Sequence, residues 1–224
     1  MYVGIDGCRG GWLVAIIDQE ASLQHCFIRR LDELQSIPLR LALIDIPLHF
    51  ADTTYRNCEV AAQALLGIKK KASIFFTPHR AAVYAATYPE ANRLNRLHTG
   101  KGVSKQTWNI CGKIKEADRF LSDHPDYPLL EAHPELCFYY LNGRQALQSK
   151  KSTLEGATDR LEIIARHAER YPEVIAHTVK QTKRNDVKQD DVIDATILAI
   201  RAGQPTLQSV PENRPLGRQD VILY

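Results

Sequence analysis

No run of about 18 apolar residues occurs in the chain, so no membrane-spanning helix is expected. The N-terminus lacks a basic stretch followed by an apolar core, the form of a secretory signal. Cysteines are few and scattered: Cys8, Cys26, Cys58, Cys111 and Cys137 are odd in number and form no C-x-x-C pair. Such a set argues against a disulfide framework or a zinc cage and makes a reducing cytoplasm the expected compartment. No charge dominates, with 29 Lys and Arg against 26 Asp and Glu and a net charge of +3. That balance permits contact with a polyanion without requiring one. Internal repeats, low-complexity segments and linkers are absent to inspection, so residues 1–224 are read as a single domain.

What is present suits a folded core: 44% of the 224 residues are hydrophobic and 25% are charged. The opening "MYVGIDGCRGGWLVAIID" predicts a strand over Tyr2–Ile5, a glycine-rich reversal, and a second strand over Trp12–Ile17. Leu23–Ile28 makes a third strand, completing a meander. Alternation puts Gly4 and Asp6 on one face of the first strand, and Gly4 leaves room for something to approach its backbone. A short helical segment is expected over Leu31–Ser36. "LALIDIP", from Leu41 to Pro47, is apolar enough for a strand buried on both faces. Thr53–Leu66 reads as a helix capped by Thr53 or Thr54 and ended by Gly67. From about residue 69 to 122 the pattern is largely helical, as in an insertion. A strand over Pro128–His133, a short helix opened by Pro134, and a helix over Thr153–Tyr171 follow. A final apolar helix spans Lys188–Ala202, and the tail after Pro205 reads as loop. The order of elements implies an α/β sheet with mixed strand directions.

Three acidic residues stand in apolar surroundings: Asp6, Asp45 and Asp194. Asp190 and Asp191 precede Asp194 by one helical turn, and all three project from neighbouring positions. Burying one unpaired carboxylate costs several kcal/mol, and convergent ones also repel. A divalent ion such as Mg²⁺ or Mn²⁺, with oxygen ligands, would offset that charge and could serve phosphodiester cleavage. Each acid also has an ordinary reading. Asp6 could cap a turn, Asp190 and Asp191 suit a helix N-terminus, and Asp45 could pair with Arg56. Sequence spacing alone does not bring the acids together.

"GIDGCRGGW", "LIDIP", "TPHR", "GKGVSKQTWNICGKI", "EAHPE", "KSTLEGATDR" and "DDVIDA" occur in an order that resembles the predicted RNase H-like nuclease family, also catalogued as domain-of-unknown-function family 429. The resemblance covers nearly the whole chain. It implies an RNase H-like α/β fold: a mixed five-stranded sheet, helices on both faces and a largely helical insertion. The ends of the first and fourth strands would then lie together, bringing Asp6 beside Asp45, with Asp191 and Asp194 supplied by the last helix. Asp6, Asp45 and Asp194 become the expected metal ligands. Asp191 and Glu131 join them in the expected catalytic set, and Glu131 is preferred over Glu135.

Phosphate contacts are expected from Arg9, Arg80, Lys113, Lys150 and Arg160, with Arg56, Lys101, Lys105, Lys151 and the run "KQTKRNDVK" as further cations. Trp108, Phe138, Tyr139 and Tyr140 could stack on bases, although Phe138 suits the core better. The expected activity is metal-dependent hydrolysis of nucleic acid, DNA or RNA. The competing readings are a non-catalytic nucleic-acid-binding or regulatory module and a hydrolase of a small phosphorylated metabolite. An actin-like ATPase or sugar kinase would require two facing domains, more than 224 residues provide.

Overall fold

Alternating and continuous apolar runs at the start of the chain become strands β1 (Tyr2–Cys8), β2 (Gly11–Ile17) and β3 (Leu23–Ile28) in the computed structural model, which describes residues 1–183, 185–212 and 220–224. Arg9 and Gly10 form the first turn, because Cys8 pairs with Gly11. Asp18 builds the second: its Oδ1 accepts the N–H groups of Glu20 and Ser22, both at 2.9 Å. A 3-10 turn covers Leu31–Ser36 as expected. Strand β4 (Leu41–Ile44) is shorter than the apolar run around it.

Helices α1 (Asn57–Leu66), α2 (Arg80–Val83), α3 (Tyr88–Thr99) and α4 (Lys105–Asp123) come next, then β5 (Leu129–Glu131). The chain continues with α5 (Pro134–Leu141), α6 (Leu154–His167), α7 (Tyr171–Gln181) and α8 (Gln189–Ala202). Short strands β6 (Ser209–Val210) and β7 (Ile222–Leu223) pair in the region expected to be loop.

Two compact units divide the chain. The first comprises Met1–Asp45, Pro128–Gln208 and Leu223–Tyr224. Its five-stranded sheet has the order β3-β2-β1-β4-β5, antiparallel through the meander and parallel from β1 to β5. The mixed sheet follows the expectation. Helix α8 lies across β1, β2 and β4, and every residue from Val192 to Ala202 is buried. A Cβ on Gly4 would sit 2.0 Å from the Ala195 carbonyl oxygen and 2.3 Å from the Ala199 nitrogen. The space at Gly4 is therefore filled by the helix itself. Only glycine lets α8 come so close to the strand.

The second unit comprises Ile46–Tyr127 and Ser209–Ile222 and holds the helical stretch α1 to α4. Helix α1 starts four residues later than Thr53, with Arg56 rather than a threonine at its N-cap. The Arg56 guanidinium is buried and pairs with Asp220 at 2.7 Å and Glu59 at 3.4 Å. Both of those partners lie within the second unit, whereas Asp45 belongs to the first. The expected helix Thr153–Tyr171 is two helices. Thr153 caps α6 by accepting the Gly156 N–H at 3.1 Å, and α7 restarts at Tyr171 with Pro172 in its first turn. Among the described residues no helix is long and apolar enough to cross a membrane.

Candidate functional site

Parallel pairing of β1 with β4 aligns Gly4 with Leu43 and Ile5 with Ile44, and the next step sets Asp6 beside Asp45. The Asp45 N–H continues the ladder by donating to the Ile5 carbonyl at 2.9 Å. Helix α8, docked on Gly4 one step earlier, adds Asp194 to the same face. Asp6 and Asp194 are both buried, and Asp45 is half-buried. Asp6 Oδ1 accepts the Gly7 N–H at 2.9 Å, so the turn-capping role and the clustered role coexist.

The electrostatics follow from that packing. The Asp6 carboxyl is pushed well above the usual carboxylate range, first by burial and then by Asp45 and Asp194, with a smaller push from Asp191. Burial likewise raises Asp194 to about 6, against the opposing pull of Lys151. Lys151 Nζ donates to Asp194 Oδ2 at 2.9 Å and lies 4.0 Å from Asp190 Oδ2. Asp194, and then Asp6 and Asp45 more weakly, hold the Lys151 ammonium firmly in its charged form. One lysine thus faces a concentration of carboxylates.

A family model described as "Protein of unknown function (DUF429)" matches residues 4–214. The chain belongs to this family. The matched range takes in Asp6, Asp45, Lys151 and Asp194. No curated protein and no solved structure matches it.

For a divalent ion, the DUF429 cluster offers the right donors: hard carboxylate oxygens, buried and mutually repelling. Among the described residues, however, no three His, Cys, Asp or Glu side chains close around a common point as ligands. Lys151 supplies positive charge at the cluster instead. The donor type suits Mg²⁺ or Mn²⁺, while among the described residues the carboxylates are not arranged as a ligand set.

The other expected residues divide. Asp191 contributes to the field at Asp6, yet its Oδ2 also accepts the Lys188 N–H at 2.8 Å as a helix cap. Glu131 ends β5 and is buried. It pairs with Ile44, which pairs with Ile5, so register places it on the opposite face of the sheet from Asp6. Glu135, the less favoured alternative, is the glutamate whose charge reaches Asp194. Arg160 cannot meet a substrate phosphate: it is 1% exposed, bonded to Glu135 and to the Gly156 carbonyl, and lies over the Phe138 ring. Arg9 is exposed at the β1–β2 turn, and Lys150 is exposed before α6. Arg80 and Lys113 belong to the second unit, where Arg80 forms a two-pronged pair with Asp118 at 2.9 and 2.7 Å. Within "KQTKRNDVK", Arg184 lies outside the described residues. Phe138 is fully buried core, as its composition suggested.

Lys151 is the residue whose place the sequence concealed. It counted there as one cation among many. The signal was local: "KKSTLEG" combines a turn, a threonine cap and a glycine at the start of a helix.

Proposed function

We propose that the chain is an RNase H-like, divalent-metal-dependent phosphodiesterase acting on nucleic acid. The observation that carries this reading is the burial of Asp6 against Asp45 and Asp194, which raises the Asp6 carboxyl well above its ordinary range. A fold keeps so unfavourable a grouping when function uses it, since the same space packed with apolar side chains would be more stable. Asp6, Asp45 and Asp194 would hold Mg²⁺ or Mn²⁺, and Asp191 would orient the rim of the site. The bound ion would polarise the phosphodiester and acidify a water molecule. The protein's own part is geometric: β1 and β4 fix two carboxylates, Gly4 seats α8, and α8 fixes the third. Glu135, tied to Arg160, would steady the field behind Asp194.

Nucleic acid is favoured over a small metabolite by the distribution of charge. Residues 46–127 carry twelve lysines and arginines against seven acids, whereas the chain as a whole is nearly balanced. A polymer substrate can use such a basic stretch through its phosphates.

The test is cleavage of a labelled oligonucleotide and of bis(p-nitrophenyl) phosphate with Mg²⁺, Mn²⁺ or EDTA, by wild type and Asp6→Asn. The expected result is metal-dependent cleavage that Asp6→Asn abolishes while the fold is kept. Equal activity in the variant removes Asp6 from the mechanism. Oligonucleotide cleavage should weaken steeply as salt rises; a flat response favours the small-metabolite reading.

A further inference from the structure

The ammonium group at the carboxylate cluster belongs to a built turn. The Lys150 carbonyl accepts the Thr153 N–H at 3.0 Å and the Thr153 hydroxyl at 2.8 Å. Thr153 in turn caps α6. Gly156 allows the turn to fold back on the helix, because a Cβ there would lie 1.9 Å from the Lys150 carbonyl oxygen. Ser149 Oγ ties the preceding residue to Asp159 Oδ2 at 2.5 Å. Backbone and caps are thus fixed, while the lysine itself is the movable part. The Lys151 side chain is 47% exposed and that of Asp194 is 3% exposed. The long stem can swing into water, whereas the carboxylate cannot follow it.

We infer that Lys151 is a resident counter-ion of the carboxylate cluster, which a divalent cation must displace from Asp194 in order to bind. This rests on the metal-site reading above and adds to it the residue that sets the site's affinity. Asp194 Oδ2 cannot serve the ammonium at 2.9 Å and a metal ion on the same side at once, because the two cations would repel in a poorly screened setting. The apparent affinity for the ion is therefore lowered by the fraction of molecules in which Lys151 is still docked. An empty cluster is kept folded by the lysine, and a loaded one releases it. The released ammonium stays tethered beside the site, where an anionic substrate would meet it.

The experiment combines calorimetric titration of Mg²⁺ with amine labelling. Wild type and Lys151→Met are titrated, and Lys151→Gln serves as a second variant in case the methionine packs badly. Each is also unfolded thermally in EDTA. Removing the docked competitor should tighten Mg²⁺ binding on the order of tenfold, while the metal-free midpoint falls. In wild type, acetylation of Lys151 by a water-soluble N-hydroxysuccinimide ester, read by mass spectrometry, should accelerate with saturating Mg²⁺ relative to exposed Lys150. If Mg²⁺ binds wild type but neither variant binds more tightly, or Lys151 labelling is unchanged, the displacement is wrong and the metal site stands. If no form binds Mg²⁺, the metal-site reading and this inference both fall.

Discussion

Replacing Asp194 with asparagine should stabilise the metal-free protein, and by an amount that grows with pH. The Asp194 carboxyl sits at about 6 in the fold against an ordinary value of 3.8, because burial outweighs the pull of Lys151. A carboxyl raised in this way contributes stability that is fully present below about 3.8 and is lost as pH climbs through about 6. Above neutrality, ionising it inside the fold therefore costs on the order of 2–3 kcal/mol. Asparagine has nearly the same shape, carries no charge and offers an oxygen to Lys151. For a chain of this size each kcal/mol moves the midpoint by about 2–4 °C, so the gain at pH 8 should be roughly 4–12 °C. Near pH 4 wild type already holds most of the proton, and the two midpoints should approach each other. Differential scanning calorimetry in EDTA at both pH values measures this directly. A lower midpoint for Asp194→Asn at pH 8, or an advantage that does not change with pH, refutes the electrostatic reasoning.

Asp6→Asn should likewise raise the metal-free midpoint at pH 8, because it removes a carboxylate that Asp45 and Asp194 oppose, while an amide oxygen can still accept the Gly7 N–H; chemical denaturation in EDTA checks the sign. Gly4→Ala should cost about 3 kcal/mol or more, since the new methyl meets α8 backbone rather than a flexible side chain; an urea midpoint within error of wild type would contradict the packing. His25 is bonded to Thr196 and Thr178, and burial lowers it to about 4, so the fold holds it neutral. Its stabilising contribution is present above about 6.5 and is lost as pH falls toward 4, by at most on the order of 3 kcal/mol; His25→Gln should flatten that part of the stability profile. Arg160→Ala should destabilise by about 3–5 kcal/mol, because it removes the guanidinium paired with the buried Glu135 carboxylate; a folded variant with weakened substrate binding alone would restore the phosphate-contact role.

The meander and the fourth strand were legible because their apolar runs and turn residues agree at every level, and β3 falls on the expected residues. The break between α6 and α7 was masked by composition that suits a helix throughout; the restart at Pro172 is the local sign of it. β6 and β7 have two residues each, too few for a periodic signal, and form by pairing with each other. At the site, Asp6, Asp45 and Asp194 could be singled out as carboxylates in apolar surroundings. Their convergence could not be derived from spacing, because it depends on the β1–β4 register and on the seat at Gly4. For Glu131 the deciding fact is one step of strand alternation, since its register with Ile44 sets it on the face opposite Asp6, and no motif announces that register. Arg160 and Lys151 show the same limit for cations. Only the packing distinguishes an arginine buried against Glu135 from a lysine reaching Asp194.

The central claim is that Asp6, Asp45 and Asp194 together bind a divalent ion. Calorimetric titration of Mn²⁺ into metal-free wild type and into Asp6→Asn tests it most directly. The prediction is saturable binding by wild type that is weakened at least tenfold or lost in Asp6→Asn. Binding that is the same in both proteins would place the ion elsewhere, and no binding in either would contradict the claim outright.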